Sequence, residues 1–240
     1  MLLRLRIALP DQPGSLGKVT RVLGVAGADI TQVVVLDRGE GRALDDITVY
    51  WPDSASRQAL VDGLGSVPGV TIEGIWGTRE APGTYPELEI LKYITTAGDR
   101  ALATLLDSMP VLFSADWAAA GTERVPRAIA HSSWRAPEQV PFPDDTPARP
   151  TALTLDGGLH VIAAPLPPLA LTFLLARADG PAFHRIEVHR LTRILEIFLT
   201  LPAVERVVAR QLRRPPETGP APGPGPGRET RPETGPGPVG

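Results

Sequence analysis

Leu9-Pro10-Asp11-Gln12-Pro13-Gly14-Ser15-Leu16 is a strand ending, a turn and a helix start in one run. Ahead of it, Leu3, Leu5, Ile7 and Leu9 alternate with Arg4, Arg6 and Ala8, the period of a half-buried strand. Pro10 to Gly14 turns the chain. From Ser15 onward, Leu16, Val19, Val22, Leu23, Val25 and Ala26 recur at helical spacing. Gly27 fits the end of that helix, because glycine tolerates the left-handed conformation that a helix stop needs. Asp29 and Ile30 then lead into a β-branched strand over 30–36.

The run has a chemistry as well as a shape. Gly14 has no Cβ, so a ligand can approach its backbone closely. The N–H groups at Ser15 and Leu16 open the helix and have no partner within it. Together with the helix dipole they suit a carboxylate. Asp11 and Asp29 can accept hydrogen bonds from an ammonium group. With Gln12 in the turn and Ile30 beside Asp29, the candidate ligand-binding set is Asp11, Gln12, Gly14, Ser15, Leu16, Asp29 and Ile30, fit for a zwitterionic amino acid. A plainer reading stands beside it: a Pro-Gly turn opens many helices for backbone reasons alone, with Asp11 as a simple cap.

Outward from this run, Asp37-Arg-Gly-Glu-Gly41 reads as a hairpin turn with two glycines free to take positive φ. Ile47, Val49 and Trp51 alternate with Thr48 and Tyr50 in a third strand. Asp53 or Ser54 is placed to cap a second helix carrying Leu60, Val61, Leu64 and Val67. Pro68-Gly69 turns the chain and a fourth strand covers 70–76. The order over residues 1–77 is β-α-β-β-α-β, the ferredoxin-like, split βαβ order.

These residues resemble the ACT domain family, the small amino-acid-sensing modules of metabolic enzymes and regulators. The match is Asp11, Pro13, Gly14 and Leu16 at the end of strand one, then Gly27, Asp29 and Ile30 at the start of strand two. The resemblance implies a homodimer with sheets side by side. It also implies a free amino acid at the interface, between the Pro-Gly turn of one subunit and strand two of the other. Asp29 departs from the Asn common in the family. Its extra negative charge would repel a ligand carboxylate or select a ligand with additional amine character.

A linker over 78–87 separates this unit from a second region over 88–213. Helical spacing runs from Leu88 to Leu106 with a break at 96–98. Residues 111–120 read as a strand and 124–150 as a polar, proline-dotted loop. Residues 159–166 and 169–177 read as two strands joined at Pro167-Pro168. A helix follows over 185–201, with Ile186, Leu191, Ile194, Leu195 and Phe198 as its buried stripe. This is an α+β pattern. Ala176-Arg177, then Gly180-Pro181 and Phe183, then a helix bearing Glu187, resemble a divergent GAF domain; a PAS-like or unrelated α+β domain is the open alternative. Residues 214–240 are almost all Pro, Gly, Glu, Thr and Arg, with an imperfect repeat starting at Arg214 and Arg231. They read as a solvated, disordered tail of polyproline II character, or as a Pro-rich docking peptide.

The 240 residues contain no cysteine, which excludes disulfide scaffolds, thiol catalysis and cysteine-ligated zinc or iron–sulfur sites. A net charge of −3 points away from a general nucleic-acid binder. The basic residues are Arg apart from Lys18 and Lys92, a bias of GC-rich bacterial coding. No signal peptide or spanning segment is apparent, so a cytoplasmic protein with no membrane partner is expected. Catalytic constellations are thin. His184, Glu187 and His189 read as a solvated helix face, Asp144-Asp145 as an acidic pair in a loop, and His131-Ser132-Ser133-Trp134 as loop. No catalytic residue, metal ligand or cofactor is assigned. The expected function is non-catalytic and regulatory: an amino acid binds at an ACT dimer interface and is relayed through the GAF-like region to an unidentified downstream partner. The alternative is a structural protein whose first domain only dimerises, with any small ligand in the second.

Overall fold

The computed structural model describes residues 1–53, 55–79, 86–123, 127–202 and 204. The chain opens with β1 (Leu2–Pro10), α1 (Ser15–Val25), β2 (Asp29–Gly39), β3 (Arg42–Tyr50), α2 (Arg57–Gly65) and β4 (Thr71–Gly77). The strands lie in the order β2-β3-β1-β4, with every neighbouring pair antiparallel. Two split βαβ units therefore interlock, as the element order predicts. The alternation in β1 buries Leu3, Leu5, Ile7 and Leu9 beneath the helices, where they meet Val19, Leu23, Leu60 and Leu64. Gly27 does stop α1: it takes φ 78°, and the Ala28 N–H reaches back to Leu23 O at 3.0 Å.

Two local expectations shift. The β2–β3 turn is made by Glu40 at φ 53° and Gly41 at φ 73°, while Gly39 remains in strand. Two consecutive left-handed residues form the turn whose twist suits a two-residue hairpin. The cap of α2 is Ser56, whose Oγ accepts from Ala59 N at 3.3 Å. Asp53 instead lies 3.7 Å from the amino terminus, in a turn where the Ala55 N–H donates to Pro52 O at 3.0 Å and Trp51 Nε1 donates to Ala55 O.

The second region comprises α3 (Pro86–Thr96), α4 (Ala101–Leu112), β5 (Trp117–Thr122), β6 (Ile129–Ser132), β7 (Thr151–Thr154), β8 (His160–Leu166), β9 (Leu171–Arg177) and α5 (Arg185–Leu199). Its antiparallel sheet runs β6-β5-β9-β8-β7. One face packs on the helices through Leu105, Leu106, Met109, Phe173, Leu191 and Phe198. The other face sets Trp117, Val161 and Leu174 among Ala119, Ala163 and Ala176, beneath Val140 and Phe142. Here the strand expected over 111–120 starts later. Met109 and Leu112 continue the stripe of α4, Pro110 sits inside it, and Ser114 at φ 46° ends it. The expected loop over 124–150 contains β6, and β7 adds a strand between that loop and β8. Both are four-residue edge strands. The chain is thus α+β with two antiparallel sheets. Among the described residues, no helix is long and apolar enough to cross a membrane. The tail over 214–240 lies outside the described residues.

Candidate functional site

Five of the seven predicted binding residues share one end of the first sheet. Gly14 holds φ 87°, a conformation that strains any residue with a Cβ, and a Cβ there would meet nothing within 4 Å. The space beside the turn is open. Asp11 N–H donates to Gly41 O at 2.9 Å, which ties the turn to the β2–β3 hairpin. No side chain caps α1, so Asp11 is not a helix cap; its Oδ1 lies 3.9 Å from Arg38 Nε. The Ser15 N–H is already used within the turn, donating to Gln12 O at 3.1 Å. Of the two predicted N–H groups, the one at Leu16 is left to meet an anion.

Asp29 and Ile30 lie at the other end. Asp29 pairs with Tyr50, which pairs with Leu2, whereas Pro10 pairs with Arg42. At about 3.3 Å per residue, the length of β1 puts roughly 26 Å between Asp29 and the turn. Within one chain these residues do not meet.

The turn has two further neighbours that the sequence reading missed. Ala43, Asp45, Ile47 and Val49 all point to the helix side of β3, so a carboxylate sits at an inward position. Asp45 is only 3 % exposed and its Oδ1 has no hydrogen-bond partner. Burial pushes its carboxyl above the usual range; Arg38 opposes this, and the charges of Asp11 and Asp46 add to it. The inward parity of Asp45 was the available signal.

The opposite, helix-free face of the sheet rests on the second region through buried charges. Arg6 donates from Nε and Nη2 to the two oxygens of Asp46 at 2.8 and 2.9 Å, and from Nη2 to Glu187 Oε2 at 2.9 Å. Arg177 donates to Glu187 Oε1 at 2.7 Å and to the carbonyls of Phe113, Ser114 and Pro181. Both guanidiniums stack on Trp76. Burial disfavours charge on Arg6, yet two carboxylates outweigh it and hold its pKa above normal. Arg177 has one carboxylate, and burial lowers it. Glu187 is buried too, but Arg177 and Arg6 keep it below the usual carboxylate range.

This corrects the reading of Glu187 as part of a solvated face. His184 caps α5, accepting the Ile186 N–H at Nδ1, and Glu187 receives the His184 N–H to complete a capping box. Burial and then Arg6 lower the His184 pKa. His189 is exposed and apart from them. His131 pairs with Asp107, and Ser133 Oγ accepts from Ala118 N, so this His and Ser serve separate partners. Asp144 and Asp145 lie exposed in their loop, beside Arg127 and Glu123. Among the described residues, no group of acidic or histidine side chains is arranged to hold a metal ion.

No family model and no curated protein matches the chain. Some solved structures are similar to parts of it. A formyltetrahydrofolate deformylase from Pseudomonas putida KT2440 is 21% identical over 41% of this chain and 39% of its own, with a TM-score of 0.30. The chain thus spans well under half of that enzyme. The ligand-free regulatory subunit of aspartate kinase from Thermus thermophilus is 12% identical over 81% and 90%, with a TM-score of 0.27. An unknown protein from Galdieria sulphuraria is 11% identical over 82% and 91%, with a TM-score of 0.28. Likenesses this slight leave the reading of the site to its own residues.

Proposed function

We propose that residues 1–77 are an ACT-like module that binds a free amino acid, in a non-catalytic regulatory protein whose GAF-like second region relays the event. The observation that carries this is the Gly14 turn. It is left-handed and open above its backbone, and Asp11 beside it is not a cap. An edge strand supplies the reason for a dimer. β2 is 11 residues long, has no strand paired on its outer side among the described residues, and exposes Val33, Val34 and Val35. If two copies pair β2 against β2 antiparallel, the start of one strand lies beside the end of the other. That pairing carries the Asp29 of a second copy to Arg38 and Asp11, across the distance a single chain cannot close.

One observation favours the structural alternative, in which the first unit only dimerises: the Ser15 N–H is consumed by Gln12 O. Calorimetry with the common amino acids on the full chain separates the two. An amino acid should bind, and Gly14→Val should abolish binding, because valine cannot hold φ near 87° without strain. Asp29→Asn should keep the fold and change which amino acid is preferred, since it removes charge and retains an acceptor. If no amino acid binds while the dimer persists, the structural reading replaces this one.

A further inference from the structure

Where β4 ends, the two regions meet around a cavity of about 290 Å³. Trp76 and Arg79 line it from the end of β4 and the residues after it, and Pro110 from α4. Asp116, Arg135 and Asp179 line it from the segments that flank β5, β6 and β9.

One donor in this wall is buried and unmet. Trp76 is 3 % exposed and its Nε1 has no hydrogen-bond partner. Arg6 and Arg177 lie over the indole ring, and Gly180 packs so close that a Cβ there would meet the ring at 3.0 Å, so the ring is held in place. A buried N–H without an acceptor is costly unless something supplies one. Arg135 is a second, independent sign. Trp134 and Arg135 form the centre of a turn closed by the Ala136 N–H on Ser133 O at 3.1 Å. Arg135 holds φ 81° at the position where such a turn calls for glycine. Strain of this kind gathers at ligand clamps. Arg135 and Arg79 are both exposed, which gives a ligand its way in, and neither has a hydrogen-bond or ion-pair partner among the described residues.

Acids balance these arginines. Asp116 uses Oδ2 for the Ala178 N–H at 2.7 Å and has Oδ1 left over. Asp179, one residue past Ala178, has no partner among the described residues. A bare anion or a bare cation would meet as much repulsion here as attraction, whereas a molecule with one charge of each sign meets both in its favour.

We infer that this cavity is a second ligand site, taking a small zwitterion. Its carboxylate accepts from Trp76 Nε1 and the guanidiniums of Arg135 and Arg79, and its ammonium donates to Asp116 and Asp179. The volume lies at the lower bound of small-molecule pockets, which limits the occupant to a few carbons. Both regions supply the walls, so the occupant bridges them. The site needs neither the Gly14 turn nor a second copy, and so is independent of the amino-acid reading of residues 1–77.

The test is calorimetry on the full chain with alanine, β-alanine and 4-aminobutyrate, which set the same two charges progressively further apart. Propionate and propylamine, with one charge each, are the controls. At least one of the three amino acids should bind, and both controls should bind at least tenfold more weakly. Trp76→Phe keeps a ring and drops the N–H, and should weaken that binding about tenfold. Arg135→Gly should weaken it as much, and should also raise the melting temperature of the unliganded chain, because glycine holds φ near 81° without strain. Binding weakened by these two substitutions and kept in Gly14→Val puts the occupant at the junction, whatever the Gly14 turn does. Binding lost in Gly14→Val and kept in both others belongs to the turn; if every amino acid behaves so, the junction proposal fails and the amino-acid reading stands. No heat with any of the three at about 10 mM overturns the proposal, as does either control binding as tightly as the best amino acid.

Discussion

Asp45 is a carboxylate at a position built for an apolar side chain. Its neighbours along the inward side of β3 are Ala43, Ile47 and Val49. With one oxygen unpartnered, its charge is disfavoured by burial and only partly offset by Arg38. The sign follows directly. An acid whose folded pKa is raised binds its proton more tightly in the folded chain, so stability falls as pH rises from the unfolded value, about 3.9, through the folded one. Asp45→Asn removes that penalty and keeps the shape. It should raise the melting temperature at neutral pH, with the gain vanishing as pH falls toward about 4. Melting curves of the two proteins across this range are the check, and an Asn variant that melts lower at pH 7 would show that the carboxylate has a favourable partner.

Among the elements, β2 carries the sharpest expectation. Among the described residues its outer edge is unpaired, and the exposed Val33, Val34 and Val35 lie along that edge, where a second strand would pair. Val33 and Val35 lie on the helix side, and Val34 on the other. Replacing Val33 and Val35 with Lys puts like charges directly against each other in an antiparallel β2–β2 pair centred on Val34, the register that sets Asp29 beside the far end of the partner strand. Sedimentation at tens of micromolar should then show a monomer where the parent chain is a dimer. A parent chain that is monomeric would remove the shared site along with the dimer. The same element shows what the sequence could tell. β1, α1 and β3 were legible because their inward positions are almost uniformly apolar, and Gly14 and Gly27 mark the turns between them. β6 and β7 were not, because a four-residue edge strand such as Ile129-Ala-His-Ser132 is held by pairing with β5 and has no alternation of its own. The Gly14 turn was legible as a local feature. Its neighbours Arg38 and Asp45 were not, because strand register brings them there.

At the scale of the whole molecule, the two regions are joined where both would otherwise bury charge. Arg6 and Asp46 come from the first sheet and Arg177 and Glu187 from the second region, a neutral set with each charge answered. Packing enforces the fit: a Cβ on Gly74 would strike Pro181 at 2.7 Å, and one on Gly180 would meet Trp76 at 3.0 Å. Such a set adds little over an apolar junction, but removing one member strands the others. Glu187→Gln leaves Arg177 with carbonyls alone and takes from Arg6 one of its two carboxylates. It should cost about 3 kcal/mol and resolve the single melting transition expected of the parent chain into two, one for each region. The Glu187 pKa is held below its unfolded value, so its contribution is full above about pH 4.3 and is lost as pH falls through the lower folded value. The parent and variant should therefore differ at pH 7 and converge well below pH 4.3. Scanning calorimetry at both pH values measures this. Two transitions in the parent chain at pH 7 would mean that the regions unfold independently despite the shared charges.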